Sequence, residues 1–121
     1  MEIAISKKGD LHILAIKGKI RLQNWRIVNK HLETLLAKSP KCLVMDLNEV
    51  TLICSTGVGA ILHNIEKFKE RNCRLVIHST APVVQEIFQV FGCNGAVADT
   101  LFPDWDSLAT RLRAQGMTVS G

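Results

Sequence analysis

Short apolar stretches of the chain alternate with longer stretches in which apolar residues recur at helical spacing. The short stretches, at residues 2–6, 11–17, 42–47 and 74–78, predict β-strands, and a further short strand is predicted at 96–98. Gly9 favours a hairpin turn between the first two strands, and Gly18 is expected to end this pair. The stretch at 42–47 is apolar almost throughout, which is typical of a strand covered on both faces of its sheet.

Four amphipathic helices are predicted, at about 23–37, from 55 to about 72, from 79 to 92, and from 104 onward. Their apolar stripes are Trp25, Val28, Leu32, Leu35 and Leu36; Val58, Ile61, Leu62, Ile65 and Phe68; Val84, Ile87, Phe88 and Phe91; and Trp105, Leu108 and Leu112. Hydroxyl residues and a proline at 79–82 should start the third helix, and Gly92 should end it.

Strands and helices alternate after the first hairpin. Because crossovers between parallel strands are right-handed, this order predicts an α/β fold with a mixed, mostly parallel sheet of four to five strands, an N-terminal β-hairpin and about four helices. We expect a single domain over residues 1–114 and a disordered tail over 115–121.

Composition narrows the class of protein. The chain has 121 residues, of which 47% are hydrophobic and 21% charged, enough to bury the core of one domain. The formal net charge of +4 is mild, and basic residues are not interleaved with aromatic ones, so no nucleic-acid binding is predicted. No apolar run approaches the roughly 20 residues of a membrane span, and the charged start is unlike a signal peptide. We therefore expect a cytoplasmic protein without direct membrane insertion.

The four cysteines, Cys42, Cys54, Cys73 and Cys93, form no CxxC pair. Their spacing is poor for a zinc site or a redox dithiol, and Cys42 and Cys73 are expected to be small core residues. No metal site and no cofactor is predicted.

The segment 53–59, Ile-Cys-Ser-Thr-Gly-Val-Gly, joins the third strand to the second helix. The first turn of a helix has unpaired N–H groups and a partial positive charge, so Ser55 and Thr56 lie where an anion is favoured. A hydroxyl there could cap the helix, hold a phosphate ligand or be phosphorylated. Local pattern alone favours a cap, which contributes about 1 kcal/mol, but a cap hydroxyl is also accessible to a kinase.

Enzymatic interpretations are weaker. Ser55 and Gly57 match half of a nucleophile elbow, but its first glycine is replaced by Ile53. His63 lies eight residues further on, about 12 Å along a helix, which is beyond hydrogen-bond reach of Ser55. Cys54 could be a reactive thiol at a helix N-terminus, although a small half-buried thiol is the simpler interpretation. No catalytic residue is predicted.

These segments resemble the STAS domain (sulfate transporter and anti-sigma-factor antagonist). The similarity rests on the strand 44–47 followed by 53–59, and on the proline-led helix 81–88 with Gly92 behind it, and it covers nearly the whole chain. In stand-alone bacterial members, an anti-sigma factor that is also a serine kinase phosphorylates the first of the two hydroxyls. That position is Ser55 here, with Thr56 as second choice.

The resemblance implies a binding module rather than an enzyme. Its unphosphorylated form would bind the anti-sigma factor, free a sigma factor and so control transcription, and a phosphatase would later remove the phosphate. The implied partner surface is formed by Ile20, Arg21, Asn24, Cys54, Ser55, Thr56, Gly57, Val58 and Gly59.

Two positions depart from the family pattern. The family usually has Asp before the acceptor serine, where this chain has Cys54, and its usual Gly-Glu-Leu-Asp loop is Gly-Lys-Ile-Arg at 18–21. The surface beside the acceptor therefore changes sign, and an electrostatically steered partner must differ accordingly. The alternative function is a non-enzymatic STAS accessory subunit of a lipid or anion transport complex. A weak homodimer is compatible with the sequence as well.

Overall fold

A five-stranded sheet forms the centre of the computed structural model, which describes residues 1–91 and 100–119. Along the chain, the elements are β1 (Glu2–Lys8), β2 (Leu11–Ile20), α1 (Trp25–Leu36), β3 (Cys42–Ile53), α2 (Ser55–Glu70), β4 (Arg74–His78), α3 (Pro82–Phe91), β5 (Leu101–Phe102) and α4 (Trp105–Ala114). The strand order is β1-β2-β3-β4-β5. The first pair is antiparallel and the other three are parallel. The predicted α/β class, hairpin and mixed sheet are confirmed.

Helices cover both faces of the sheet. On one face, the apolar stripes of α1, α2 and α3 pack against alternate residues of β2, β3 and β4 in the larger of two hydrophobic clusters. On the other face, Leu108, Ala109 and Leu112 of α4 cover Leu11 and its neighbours in the smaller cluster. This double cover is why the first half of β3 is apolar on both faces. Gly92, Cys93 and the strand predicted at 96–98 lie outside the described residues.

Strands β2 and β3 are both longer than the hydrophobic pattern predicts. Gly18 was expected to end β2, but with a φ of 98° it lies in an irregular stretch, and the strand continues to Ile20. Beyond residue 47, β3 stays paired with β2 through the buried residues Val50 and Ile53. The prediction that the third strand ends at residue 47 was wrong, because this pairing overrides the low strand propensity of Asn48 and Glu49.

A polar network fixes the loop between β4 and α3. The Asn48 side chain donates to Asp46 Oδ1 at 2.8 Å and lies 3.2 Å from His78 Nδ1. Its Oδ1 accepts hydrogen bonds from the backbone N–H and the hydroxyl of Thr80, at 2.8 and 3.1 Å. The Ser79 hydroxyl accepts from the Ala81 N–H at 3.1 Å and donates to the Leu47 carbonyl at 3.2 Å.

Hydrogen bonds and apolar contacts link the described end of the chain, residues 115–119, to the rest of the domain. The Thr118 N–H donates to Asp10 Oδ2 at 2.8 Å, and the Asp10 N–H donates back to the Thr118 carbonyl at the same distance. Met117 and Val119 pack with the cluster under α4. Met117 and Val119 therefore contribute to the second core.

Candidate functional site

The connection between β3 and α2 is one residue long. Cys54 has extended backbone angles and acts as the N-cap of α2, with its Sγ accepting the Gly57 N–H at 3.3 Å. The Cys54 N–H donates to the Ile20 carbonyl at 2.9 Å, which holds the start of α2 at the end of β2. The interpretation that Ser55 or Thr56 caps this helix was therefore wrong, since a thiol occupies the capping position.

Ser55 and Thr56 are the first two residues of α2, and both are exposed. Because Cys54 makes the cap, capping does not occupy the Ser55 hydroxyl. The hydroxyl lies at the positive end of a 16-residue helix, beside the backbone N–H groups of its first turn. This environment favours an anionic group on the exposed surface.

The two glycines of the segment have different roles. A Cβ on Gly57 would lie 3.1 Å from Ile20 Cγ2 and 3.4 Å from Cys54 Sγ, so this position requires a close approach of helix and strand. A Cβ on Gly59 would meet nothing within 4 Å. Gly57 thus sets the fit of α2 against β2, and Gly59 does not.

The loop between β2 and α1 lies next to this helix start. Asn24 organises the loop: its Oδ1 accepts the Arg21 N–H at 2.7 Å, and its Nδ2 donates to the Lys19 carbonyl at 3.0 Å. Asn24 is half-buried and bonded within the loop, while the side chain of Arg21 is exposed. The loop is therefore preshaped.

The predicted partner surface divides by burial. Arg21, Ser55, Thr56 and Gly59 are exposed, and Asn24 and Cys54 are half-buried. Ile20, Gly57 and Val58 are buried. These last three shape the surface from beneath and do not form part of it.

The structure adds residues that the sequence analysis did not single out. Leu22 and Leu52 are 64% and 40% exposed, although both are large and apolar. Leu52 pairs with Lys19, and Ile20 is hydrogen-bonded to Cys54, so these residues lie next to the start of α2. A strand predicted as far as Ile53 would have placed Leu52 on the face opposite to Ile53, because residues next to one another in a strand point to opposite faces. The surface around Ser55 is therefore basic with apolar patches.

The other cysteines that the structure describes lie inside the protein. Cys42 and Cys73 are buried as expected, and burial raises the pKa of the Cys42 thiol to about 12, so this thiol stays protonated. In residues 1–91 and 100–119, no three His, Cys, Asp or Glu side chains are grouped so that they could hold a metal ion. None of the helices described is long and apolar enough to cross a membrane.

The sequence and the fold were compared with those of known proteins. The model of the STAS domain family matches residues 2–108. The chain belongs to the STAS domain family. A comparison of this STAS domain with curated proteins gives no match.

Solved structures similar to this STAS domain include regulators and a transporter-family protein. An anti-sigma factor antagonist from Mycobacterium paratuberculosis is 19% identical, with a TM-score of 0.82 and 93% of each chain covered. The Bacillus cell fate determinant SpoIIAA, in its phosphorylated form, is 12% identical with a TM-score of 0.70, covering 93% of this chain and all of SpoIIAA. A sulfate transporter family protein from Wolinella succinogenes is 19% identical with a TM-score of 0.70, covering 87% of this chain and 86% of that protein. At these identities the likeness is one of fold.

Proposed function

We propose that this STAS domain is an anti-sigma-factor antagonist, a protein-binding module switched by phosphorylation of Ser55. The observation that carries the proposal is that Cys54 caps α2 and leaves the Ser55 hydroxyl exposed at the positive end of the helix. Thr56 is the second-choice acceptor. The partners are an anti-sigma factor that is also a serine kinase, and a phosphatase.

Phosphorylation at this position is compatible with the fold. A phosphoserine carries about −1.5 to −2 charges at neutral pH and is stabilised near a helix N-terminus. The exposed side chains of Lys19 and Arg21 flank Ile20, which is hydrogen-bonded to the residue before Ser55. The modification therefore changes the surface charge without requiring the domain to refold.

The same surface indicates the chemistry of the partner. Lys19 and Arg21 favour acidic side chains, and the exposed parts of Leu22 and Leu52 favour an apolar recess between them. A phosphate on Ser55 would bring negative charge against such an acidic surface and release the partner. The unphosphorylated form is thus the binding form, and the protein acts as a switchable surface rather than as an enzyme.

A second candidate is a non-enzymatic accessory subunit of a lipid or anion transport complex. Two observations favour it: Cys54 stands where antagonists of the family usually carry Asp, and the fold is similar to that of a sulfate transporter family protein. In that case the surface around Ser55 binds its partner constitutively.

Mass spectrometry of the protein recovered from its own cells, grown with and without stress, tests the switch. We expect phosphate on Ser55 in a fraction that varies with growth condition. A Ser55 that is unmodified under every condition would contradict the switch and favour the transport subunit.

Binding of charge variants tests the surface. Ser55→Asp should abolish binding of the partner captured with the wild-type protein, while Thr110→Asp on the exposed side of α4 adds the same charge and should not. Arg21→Glu should weaken binding, and Arg111→Glu on α4 is its matched control. Circular dichroism establishes that each variant is folded. A folded Ser55→Asp protein that binds as tightly as wild type would refute the proposal.

A further inference from the structure

Strand β1 forms one edge of the sheet and is paired only with β2 among the strands of the described residues. Its seven residues keep an unbroken register with β2 and contain neither a bulge nor a proline. All of them except Ile3 are exposed, and Ile5 is 51% exposed. Natural edge strands are usually shortened, bulged, covered or charged, because their outer backbone groups can pair with another strand. In the described residues, β1 is charged at its two ends, with Glu2 at one and Lys7 and Lys8 at the other, and the stretch between them has no bulge, proline or cover.

A row of alternating charges ends at this edge. Glu49 on β3 is opposite Lys17 on β2, with Nζ 3.1 Å from Oε2, and Lys17 is opposite Glu2 on β1. A strand added to this edge would therefore have one residue opposite the Glu2 carboxylate, and a cation is favoured at that residue. Opposite charges on directly opposite residues stabilise a strand pair, and like charges destabilise it.

We propose that β1 pairs antiparallel with β1 of a second copy of this chain, about a two-fold axis at Ile5. In this register Glu2 is opposite Lys8 of the second copy, and Lys8 is opposite its Glu2. The row then becomes Glu49, Lys17, Glu2, Lys8, with alternating signs across the new edge. Lys8 and Glu2 are six residues apart in a strand and share a face, so the charges meet on the same side of the joined sheet.

The neighbouring registers fit less well. In an antiparallel pair, two opposite residues turn their backbone groups either both toward the partner strand or both away from it, so the two-fold axis can move only by whole residues. An axis at Ser6 sets Glu2 opposite Asp10, which is a like-charge pair. An axis at Ala4 sets Glu2 opposite Ser6 and leaves Lys8 without an opposite residue. Only the axis at Ile5, of these three, pairs both charges and sets the exposed Ile5 against its own copy.

The new strand pair lies apart from Ser55, the proposed acceptor of the phosphate. Ser55 follows β3, which lies two strands inward from β1, or about 10 Å at the usual strand spacing. Joining the β1 edges therefore leaves Ser55 accessible, and the assembly carries two such sites.

Cysteine crosslinking tests the register. Opposite Cβ atoms of a strand pair lie about 4.5–5.5 Å apart, close to the separation in a disulfide. Under mild oxidation, the full-length Ile5→Cys protein should form a disulfide between the substituted positions of two copies, identified by peptide mass spectrometry. This linkage should form about tenfold faster than the corresponding linkage of Ala4→Cys or Ser6→Cys. Equal rates for the three variants, or no linkage at residue 5, would overturn the proposal.

Charge reversal tests the same contact without a covalent bond. Sedimentation velocity over a concentration series should give a dimer whose Kd rises on the order of tenfold in Lys8→Glu, since the two-fold axis makes each pair count twice. Lys7→Glu carries the same change in net charge at the adjacent position and should have little effect. A wild-type protein that stays monomeric at all concentrations, or a Kd that Lys7→Glu and Lys8→Glu change equally, would refute the pairing.

Discussion

The two glycines at the start of α2 give a matched pair of substitutions. Gly57→Ala adds a methyl group 3.1 Å from Ile20 Cγ2 and 3.4 Å from Cys54 Sγ, whereas Gly59→Ala adds one where no atom lies within 4 Å. Both changes replace glycine by the best helix former, so both remove the same backbone entropy from the unfolded chain. Their difference in stability therefore measures the close approach alone.

The magnitude follows from these distances. Carbon atoms pack best at about 3.5–4.0 Å, so the new methyl group overlaps Ile20 by several tenths of an ångström. Ile20 is fully buried and β-branched, and its carbonyl is held by the Cys54 N–H, so it has little freedom to move away. Overpacking of this kind costs about 1–3 kcal/mol, and helix propensity offsets about 0.5–1 kcal/mol. We expect Gly57→Ala to lower the free energy of unfolding by up to about 2.5 kcal/mol and Gly59→Ala to raise it by about 0.5–1 kcal/mol.

Equilibrium unfolding in urea, followed by far-ultraviolet circular dichroism, measures both variants. The midpoint should shift in opposite directions for the two variants, with the dependence on urea concentration unchanged. If Gly57→Ala is as stable as Gly59→Ala, the close approach of α2 to β2 does not constrain this position. The reasoning about Gly57 would then be refuted.

Three further changes test other parts of the structure. Cys54→Ala removes the sulfur that caps α2 and should lower the melting temperature. Cys54→Asp supplies a stronger cap with a favourable charge and should raise the melting temperature. If Cys54→Ala melted at a higher temperature than Cys54→Asp, the assignment of Cys54 as the cap would be contradicted. Asn48→Ala breaks the network between β3 and the β4–α3 loop and should lower the free energy of unfolding, measured in urea titrations, by about 1–3 kcal/mol. An unchanged free energy of unfolding would show that water replaces these hydrogen bonds. Burial, with smaller contributions from Lys7 and Lys38, lowers the pKa of His12 below its ordinary 6.5, so the unfolded chain binds a proton first as the pH falls. Stability should therefore decrease as the pH falls through 6.5, and His12→Asn should flatten this slope. An unchanged slope would exclude His12 as its cause.

Much of the architecture follows from hydrophobic periodicity. The stripes of α1 and α2 were predicted from spacing, and nearly all of their members are buried. The covered strand at the start of β3 was predicted from its continuous apolar run. These features are local, because a stripe or a run must face a core in whatever fold the chain adopts.

Boundaries depended on partners far away in the sequence. β3 continues to Ile53 because β2 runs beside it, and this places the start of α2 one residue after the strand. As a result Cys54 caps the helix, and Ser55 and Thr56 lie inside its first turn. If α2 began one residue later, Ser55 would be the capping residue and its hydroxyl would not be left free by the cap. The pairing of β2 with β3 therefore decides which residue caps the helix.

The sequence by itself determined the order of the elements, the α/β class and the position of a hydroxyl pair at a helix start, because each depends on residues close together in the chain. Tertiary structure alone decided that Leu22 and Leu52 are exposed beside that pair, that Met117 and Val119 join the second core, and that β1 forms an edge of the sheet of described strands, where a row of charges ends. Each of these depends on which distant segments meet, and the identity of a residue does not specify its distant neighbours.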